Sequence, residues 1–151
     1  MLGRKSKYEK RDYLKQFKIG KATYSESLIY EAYGGLQNDG IMLAVYYDVD
    51  AAKIIHQLDS WEKINDSPTI SSILKNVSSY FGLDFVIPEI ASGNFFLYDN
   101  SQHKELRSEA EMNTLLLHSE DVNFSLVVWD DEKHTIYIVA VSYTHLRAHE
   151  T

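Results

Sequence analysis

Asp39, Asp48 and Asp50 are the residues of this chain whose type and spacing come closest to chemistry. Asp48 and Asp50 close an apolar run, and Asp39 sits in the turn before it. If the run is one arm of a hairpin, the three carboxylates approach one another, and carboxylate oxygens are natural ligands for a hard cation. The same residues have a simpler reading. Asp50 caps the following helix by accepting its first unpaired amides, and an aspartate in the position of Asp39 bonds its own turn backbone. The simpler reading is preferred, so no metal and no cofactor is assigned. A small ion-binding protein or hydrolase using Asp39, Asp48 and Asp50 stands as the alternative.

The remaining polar residues form no catalytic constellation. His56 falls on a helical apolar stripe and reads as a core-edge histidine, while His103 and His118 fall in polar loops. No His-x-x-x-His or His-Glu-x-x-His spacing occurs, and no serine lies in Gly-x-Ser-x-Gly. Gly34, Gly35 and Gly40 precede a strand rather than a helix, so they do not make a phosphate-binding loop. No catalytic residue is assigned. Aromatic residues carry the alternative chemistry, because Tyr and Trp bury area at interfaces while keeping a polar handle. Tyr46, Tyr98, Trp61 and Trp129 are the candidate partner contacts.

The elements that must position these residues follow from periodicity and punctuation. Residues 9–17 carry one apolar stripe and predict a short helix. Residues 28–33 and 41–47 read as strands joined through Asn38-Asp39-Gly40, a turn composition that tolerates positive φ. A helix is expected from Ala51 to Leu58, and another from Pro68 to Tyr80 with Asp66 or Ser67 as cap. Trp61, between them, reads as a core plug or a lid over the sheet. Residues 85–90 are extended, with Pro88 marking an edge, and 95–98 form a strand. Residues 107–117 are helical from about Ser108. Residues 124–129 and 135–139 make a C-terminal hairpin, the latter alternating like a half-buried strand. The expectation is one α+β domain over residues 23–140, a mainly antiparallel sheet of about five strands with two or three helices on one face.

Composition bounds the partners. The chain has 151 residues, 44% hydrophobic and 25% charged, and no cysteine, so disulfide and thiol chemistry are outside its means. Residues 1–22 carry eight Lys or Arg against two acids, whereas residues 23–140 carry six against nineteen. A basic arm on an acidic body suggests an anionic partner, but the body would repel a phosphate backbone. A solvated N-terminal segment, partly helical or disordered, is the expectation, with no nucleic acid partner. No apolar run approaches the roughly 20 residues of a membrane span. The basic start lacks the apolar stretch of a signal peptide. The expected location is therefore the cytoplasm, with tethering at the cell surface if the N-terminus is incomplete.

The last eleven residues, Val141 to Thr151, match the translation of a transposase-type sequencing adapter residue for residue. They are expected to be a tail outside the fold, and two of the six histidines go with them.

One resemblance adds to this reading. It rests on Gly34-Gly35-x-x-Asn38-Asp39-Gly40, Trp61, Ile87-Pro88-Glu89-Ile90-x-x-Gly93-x-Phe95-Phe96-x-Tyr98-Asp99, and Asn123-Phe124-Ser125-Leu126-x-Val128-x-Asp130 before Thr135-Ile136-Tyr137. With these, residues 27–139 resemble a family of small uncharacterised proteins of Gram-positive bacteria. Asn38 stands where that family has Gly, and Asp99-Asn100-Ser101 replaces its Asp-Arg-His-Ser run, so no role for those Arg and His residues transfers. The resemblance implies a fold-sized unit and no reaction. The function expected is that of a non-catalytic interaction module, of accessory or immunity type, binding a protein partner through an acidic, Tyr-rich surface.

Overall fold

The computed structural model describes residues 13–33, 40–64, 67–80, 86–118 and 122–143. Seven antiparallel strands form one sheet: β1 (Glu26–Tyr33), β2 (Gly40–Tyr47), β3 (Glu62–Lys63), β4 (Gly93–Asp99), β5 (Lys104–Leu106), β6 (Val122–Asp130) and β7 (Thr135–Tyr143). Their order is β1-β2-β7-β6-β4-β3, with β5 beside β3 along the same edge of β4. Four α-helices are described: α1 (Tyr13–Gln16), α2 (Ile55–Ser60), α3 (Pro68–Tyr80) and α4 (Glu109–His118). The class is α+β.

The five strands that periodicity predicts are all present, and β3 and β5 raise the number to seven. Two- and three-residue strands are too short to carry a period, so only pairing with β4 reveals them. Residues 86–90, expected to be extended, form no strand. Their register is fixed instead by the Ile87 N–H donating to Ser78 Oγ at 2.8 Å. The helix expected over 51–58 is divided: a 3-10 turn over Ala51–Lys53, a break at Ile54 (φ −128°), then α2. The break rotates the second half, and His56 is exposed rather than at the core edge. His103 lies in a turn, and His118 ends α4. The tip of the β1–β2 hairpin, including Asp39, lies outside the described residues, as do residues 1–12.

The helices cover both faces of the sheet, not one. Leu43 and Val45 of β2, Leu126 and Val128 of β6 and Val139 of β7 pack with Ile70, Ile73 and Val77 of α3 and Met112 of α4. The alternate residues, Ala44, Val127 and Ile138, join a second core with Tyr13 and Leu14 of α1 and with Ile54 and Leu58. Strands buried on both sides read as continuous apolar runs, as in Ile41-Met42-Leu43-Ala44-Val45. The N-terminal segment is therefore partly core: Tyr13, Leu14, Ile19 and Ala22 are all buried.

Strand β7 continues through Tyr143, three residues into the stretch expected to lie outside the fold. Val141 and Ser142 pair with both neighbours, β2 and β6. Two flanking edges template any chain between them, and Val-Ser-Tyr is compatible with a pleated strand.

Local devices fix the ends of elements. Ser67 caps α3, accepting from the Ile70 N–H at 3.3 Å. Ser108 and Glu111 form a reciprocal capping box at α4, with Glu111 N–H donating to Ser108 Oγ (3.2 Å) and Ser108 N–H to Glu111 Oε1 (3.3 Å). The β4–β5 and β6–β7 turns share one solution. Buried Asp99 accepts from the amides of Ser101 and Gln102, buried Asp130 from those of Glu132 and Lys133, and His103 and His134 take the positive φ that closes each turn. Gly93 is required for another reason: a Cβ there would lie 1.8 Å from the Trp129 carbonyl oxygen.

Candidate functional site

Strand register places the site. On the face carrying α1 and α2, four residues from adjacent strands form one row: Met42, Ala140, Ser125 and Tyr98. The next row toward the second core is Ala44, Ile138, Val127 and Phe96, and the row beyond the first on the other side carries Asn123. Along β6 the residues on this face thus change from Asn123 and Ser125 to Val127 and Trp129. The apolar half lies under the second core. The polar half floors an open groove of about 820 Å³, which Tyr13, Phe17, Lys18, Gln57, Trp61 and Arg107 also line.

Three aromatic rings line it in sequence. Trp61 and Phe96 have centroids 6.1 Å apart with planes 30° apart, and Phe96 and Tyr98 lie 6.2 Å apart at 16°. Trp61 is held there because its N–H donates to the Leu58 carbonyl as α2 ends, while Phe96 and Tyr98 alternate onto this face of β4. Beside Tyr98 is a small polar network. Asn100 Nδ2 donates to Asn123 Oδ1 at 3.0 Å and to Ser125 Oγ at 3.1 Å. At the rim, Arg107 binds Glu62 through Nη1 and Glu105 through Nη2 (2.9 Å to Oε2). The hydrogen bond that the guanidinium donates to Glu62 is the main cause raising its pKa, and an arginine side chain is charged in any case. Arg107 and Glu62 are exposed and Glu105 is half-buried, so the network contributes little to stability. It ties the start of β3 to the end of β5.

Of the three candidate aspartates, Asp48 and Asp50 lie outside the lining of this groove. Asp48 adopts φ 56° at the end of β2 and accepts from Ser25 Oγ. Asp50 accepts from the Ala52 N–H at 3.1 Å, the cap that its position predicts. Asp39 lies outside the described residues. No group of three or more His, Asp or Glu side chains able to hold a metal ion occurs among the described residues.

Two of the four aromatic candidates are corrected. Tyr46 is 3% exposed and Trp129 1% exposed, both in the second core. Tyr46 meets Tyr24 edge-on at 4.9 Å, and the Trp129 indole N–H donates to Asp131 Oδ1 at 3.2 Å. Both sit on the half of the face that α2 and the segments around it cover, so neither is available to a partner. Trp61 and Tyr98 are brought together through Phe96. Sequence reasoning missed Phe96, Asn100, Asn123 and Ser125. The signal for them was present in β6, where residues of one parity switch from polar to apolar within a single strand.

Comparison of the chain with protein-family profiles, with curated sequences and with solved structures gives no match, so the functional reading rests on the groove's own chemistry.

Proposed function

We propose that this protein is a non-catalytic interaction module whose groove, bounded by Trp61, Phe96 and Tyr98, takes a segment of a protein partner. The observation that carries the reading is the change along β6, on one sheet face, from Val127 and Trp129 inside the second core to Ser125 and Asn123, polar side chains that line the groove. A strand face that only had to be buried would continue Val127 and Ile138 with further aliphatic residues, not with Ser125 and Asn123. The lining also favours binding over reaction. Carboxamides and hydroxyls are good hydrogen-bonding groups and poor proton carriers near neutral pH, and the charged residues of the lining are Lys18 and the ion-paired Arg107 and Glu105. The volume falls within the range of recognition clefts, roughly 300–1,000 Å³.

The test is a selection from a displayed library of peptides on the wild-type protein, counter-selected against Ala140→Trp and, separately, against Tyr98→Ala. Ala140→Trp fills the floor, and Tyr98→Ala removes part of the wall. Circular dichroism first establishes that each variant retains the fold. Enrichment of peptides that bind wild type and neither variant is the expected result. Failure to enrich any groove-dependent peptide would falsify the reading.

A further inference from the structure

The two edges of the sheet are finished differently. Along β4 the edge is divided between β3 and β5, strands of two and three residues, and Arg107 ties the two together through Glu62 and Glu105. Short strands and charged side chains are the usual means of keeping a sheet edge from pairing with another chain. At the other end of the sheet, β1 runs for eight residues, Glu-Ser-Leu-Ile-Tyr-Glu-Ala-Tyr, without lysine or proline. Its register with β2 is unbroken throughout. Its charged residues are Glu26, at the first position, and Glu31, whose carboxylate is engaged by the Tyr13 hydroxyl at 3.0 Å. No strand among the described residues pairs with the outer side of β1. Leu28, Tyr30 and Ala32 pack against the core closed by α3 and α4 but are only half-buried, so that core reaches the edge partly covered.

We infer that β1 pairs with β1 of a second copy of this chain, antiparallel across a two-fold axis normal to the sheet. A two-fold contact joins one surface to itself, so every copy brings the edge that another copy needs. This axis keeps each face of the sheet on its own side, and a residue therefore meets only residues of its own parity. With Ile29 opposite Ile29 of the second copy, Leu28 meets Tyr30, Ser27 meets Glu31 and Glu26 meets Ala32, each pair occurring twice. Leu28 and Tyr30 form an aliphatic–aromatic pair that carries the half-covered core across the junction. Ser27 brings a hydroxyl donor to Glu31, and neither glutamate stands opposite another. Centring the axis on Tyr30 sets Glu31 against Ile29, and centring it on Leu28 shortens the ladder. The net charge of −7 on each chain opposes association, so the dimer is a dissociable one that salt strengthens by screening. The two grooves open on the same side of one continuous sheet, and the inference does not depend on what they bind.

Sedimentation equilibrium and amide hydrogen exchange of the full chain, from micromolar to millimolar concentration, test this. A reversible monomer–dimer equilibrium is expected, with the β1 amides that face away from β2 gaining protection as the dimer forms. Ser27→Glu sets a second carboxylate opposite Glu31 of the second copy and should weaken the dimer roughly three- to thirtyfold, the effect of two like-charge cross-strand pairs. Ser27→Lys sets an opposite charge there and should match or exceed wild type. Circular dichroism establishes that both variants keep the fold. A monomer at every concentration, or a dimer of equal affinity in the two variants, overturns the inference. So does protection of those β1 amides in the monomer, which would mean that another segment of the same chain fills the edge.

Discussion

The two faces of the sheet are made from the same strands and do different work. Leu126 and Ser125 are adjacent in β6 and both buried. Leu126 points into the core closed by α3 and α4, and Ser125 toward the groove. The first face is lined by buried aliphatic and aromatic residues from β2 through β4 and is shielded by helices of 13 and 10 residues. Among the described residues, the second is covered by the short α1, the segment through Ile19 and Ala22, the 3-10 turn and α2. The contrast teaches that one side of the sheet is given wholly to a core, whereas the other divides between a core and a stretch that carries polar groups, although burial of apolar area is the dominant favourable term in folding.

The largest expected effect breaks both faces together. Gly93→Ala forces a Cβ into the Trp129 carbonyl and should separate β4 from β6. Loss of the cooperative thermal transition, or a large fall in its midpoint, is the expected readout, and a near-wild-type midpoint would refute the argument. The next prediction sharpens the contrast. Leu126→Ala should destabilise by about 2–5 kcal/mol through the cavity it leaves, whereas Ser125→Ala should change stability by no more than about 1 kcal/mol, the scale of one neutral hydrogen bond. Urea unfolding of the pair decides it, and comparable losses would mean that the two faces are energetically alike.

A smaller effect belongs to the well-covered face alone. Burial pushes the Glu109 carboxyl pKa up, but hydrogen bonds from Ser67 and Thr69 outweigh that and hold it below the usual carboxylate range. A depressed folded pKa contributes stability that is present above the unfolded value and is lost as pH falls through the folded one. Wild type should therefore lose stability below about pH 4.5, the region of an ordinary glutamate, and Glu109→Gln should lose less over the same interval. Identical pH profiles for the two proteins would remove Glu109 from this role. Smallest of all, Tyr98→Phe should leave stability within about 0.5 kcal/mol, as surface changes do, and alter only binding at the groove.

Much of the fold was legible in sequence, for identifiable reasons. Long strands such as β2 and β6 carry enough apolar residues to declare themselves, and α3 is bounded by Ser67 and Pro68 at its start. The cap role of Asp50 followed from its place before a helix. What was not legible depended on partners distant in sequence. β3 and β5 exist only through β4, and the second helical layer is implied only if Ile41 to Val45 is taken as buried on both sides rather than one. The site divided in the same way. Trp61 and Tyr98 could be suspected as large aromatics, but Tyr46 and Trp129 are equally large, and burial alone separates the pairs. Asn100, Asn123 and Ser125 are unremarkable as residues, and the register of β4 against β6 makes them a network.

The position of β7 has a consequence for how the chain reaches this structure. It is the last of the described strands in sequence, yet it lies between β2 and β6 in the sheet. Until it is in place, the remaining strands divide into a β1–β2 hairpin and a group around β4 and β6, each with an unpaired edge open to other chains. Partners such as Met42 and Ala140 are separated by most of the chain, and contacts of that span close slowly. Pulse-labelled hydrogen exchange during refolding should find the amides of β6 and β4 protected before those of β2 facing β7, and simultaneous protection would argue against this order. Synthesis of the chain from its N-terminus would meet the same constraint. The strand that joins the two halves emerges after both, which makes the interval before its arrival the period of greatest exposure to misassembly.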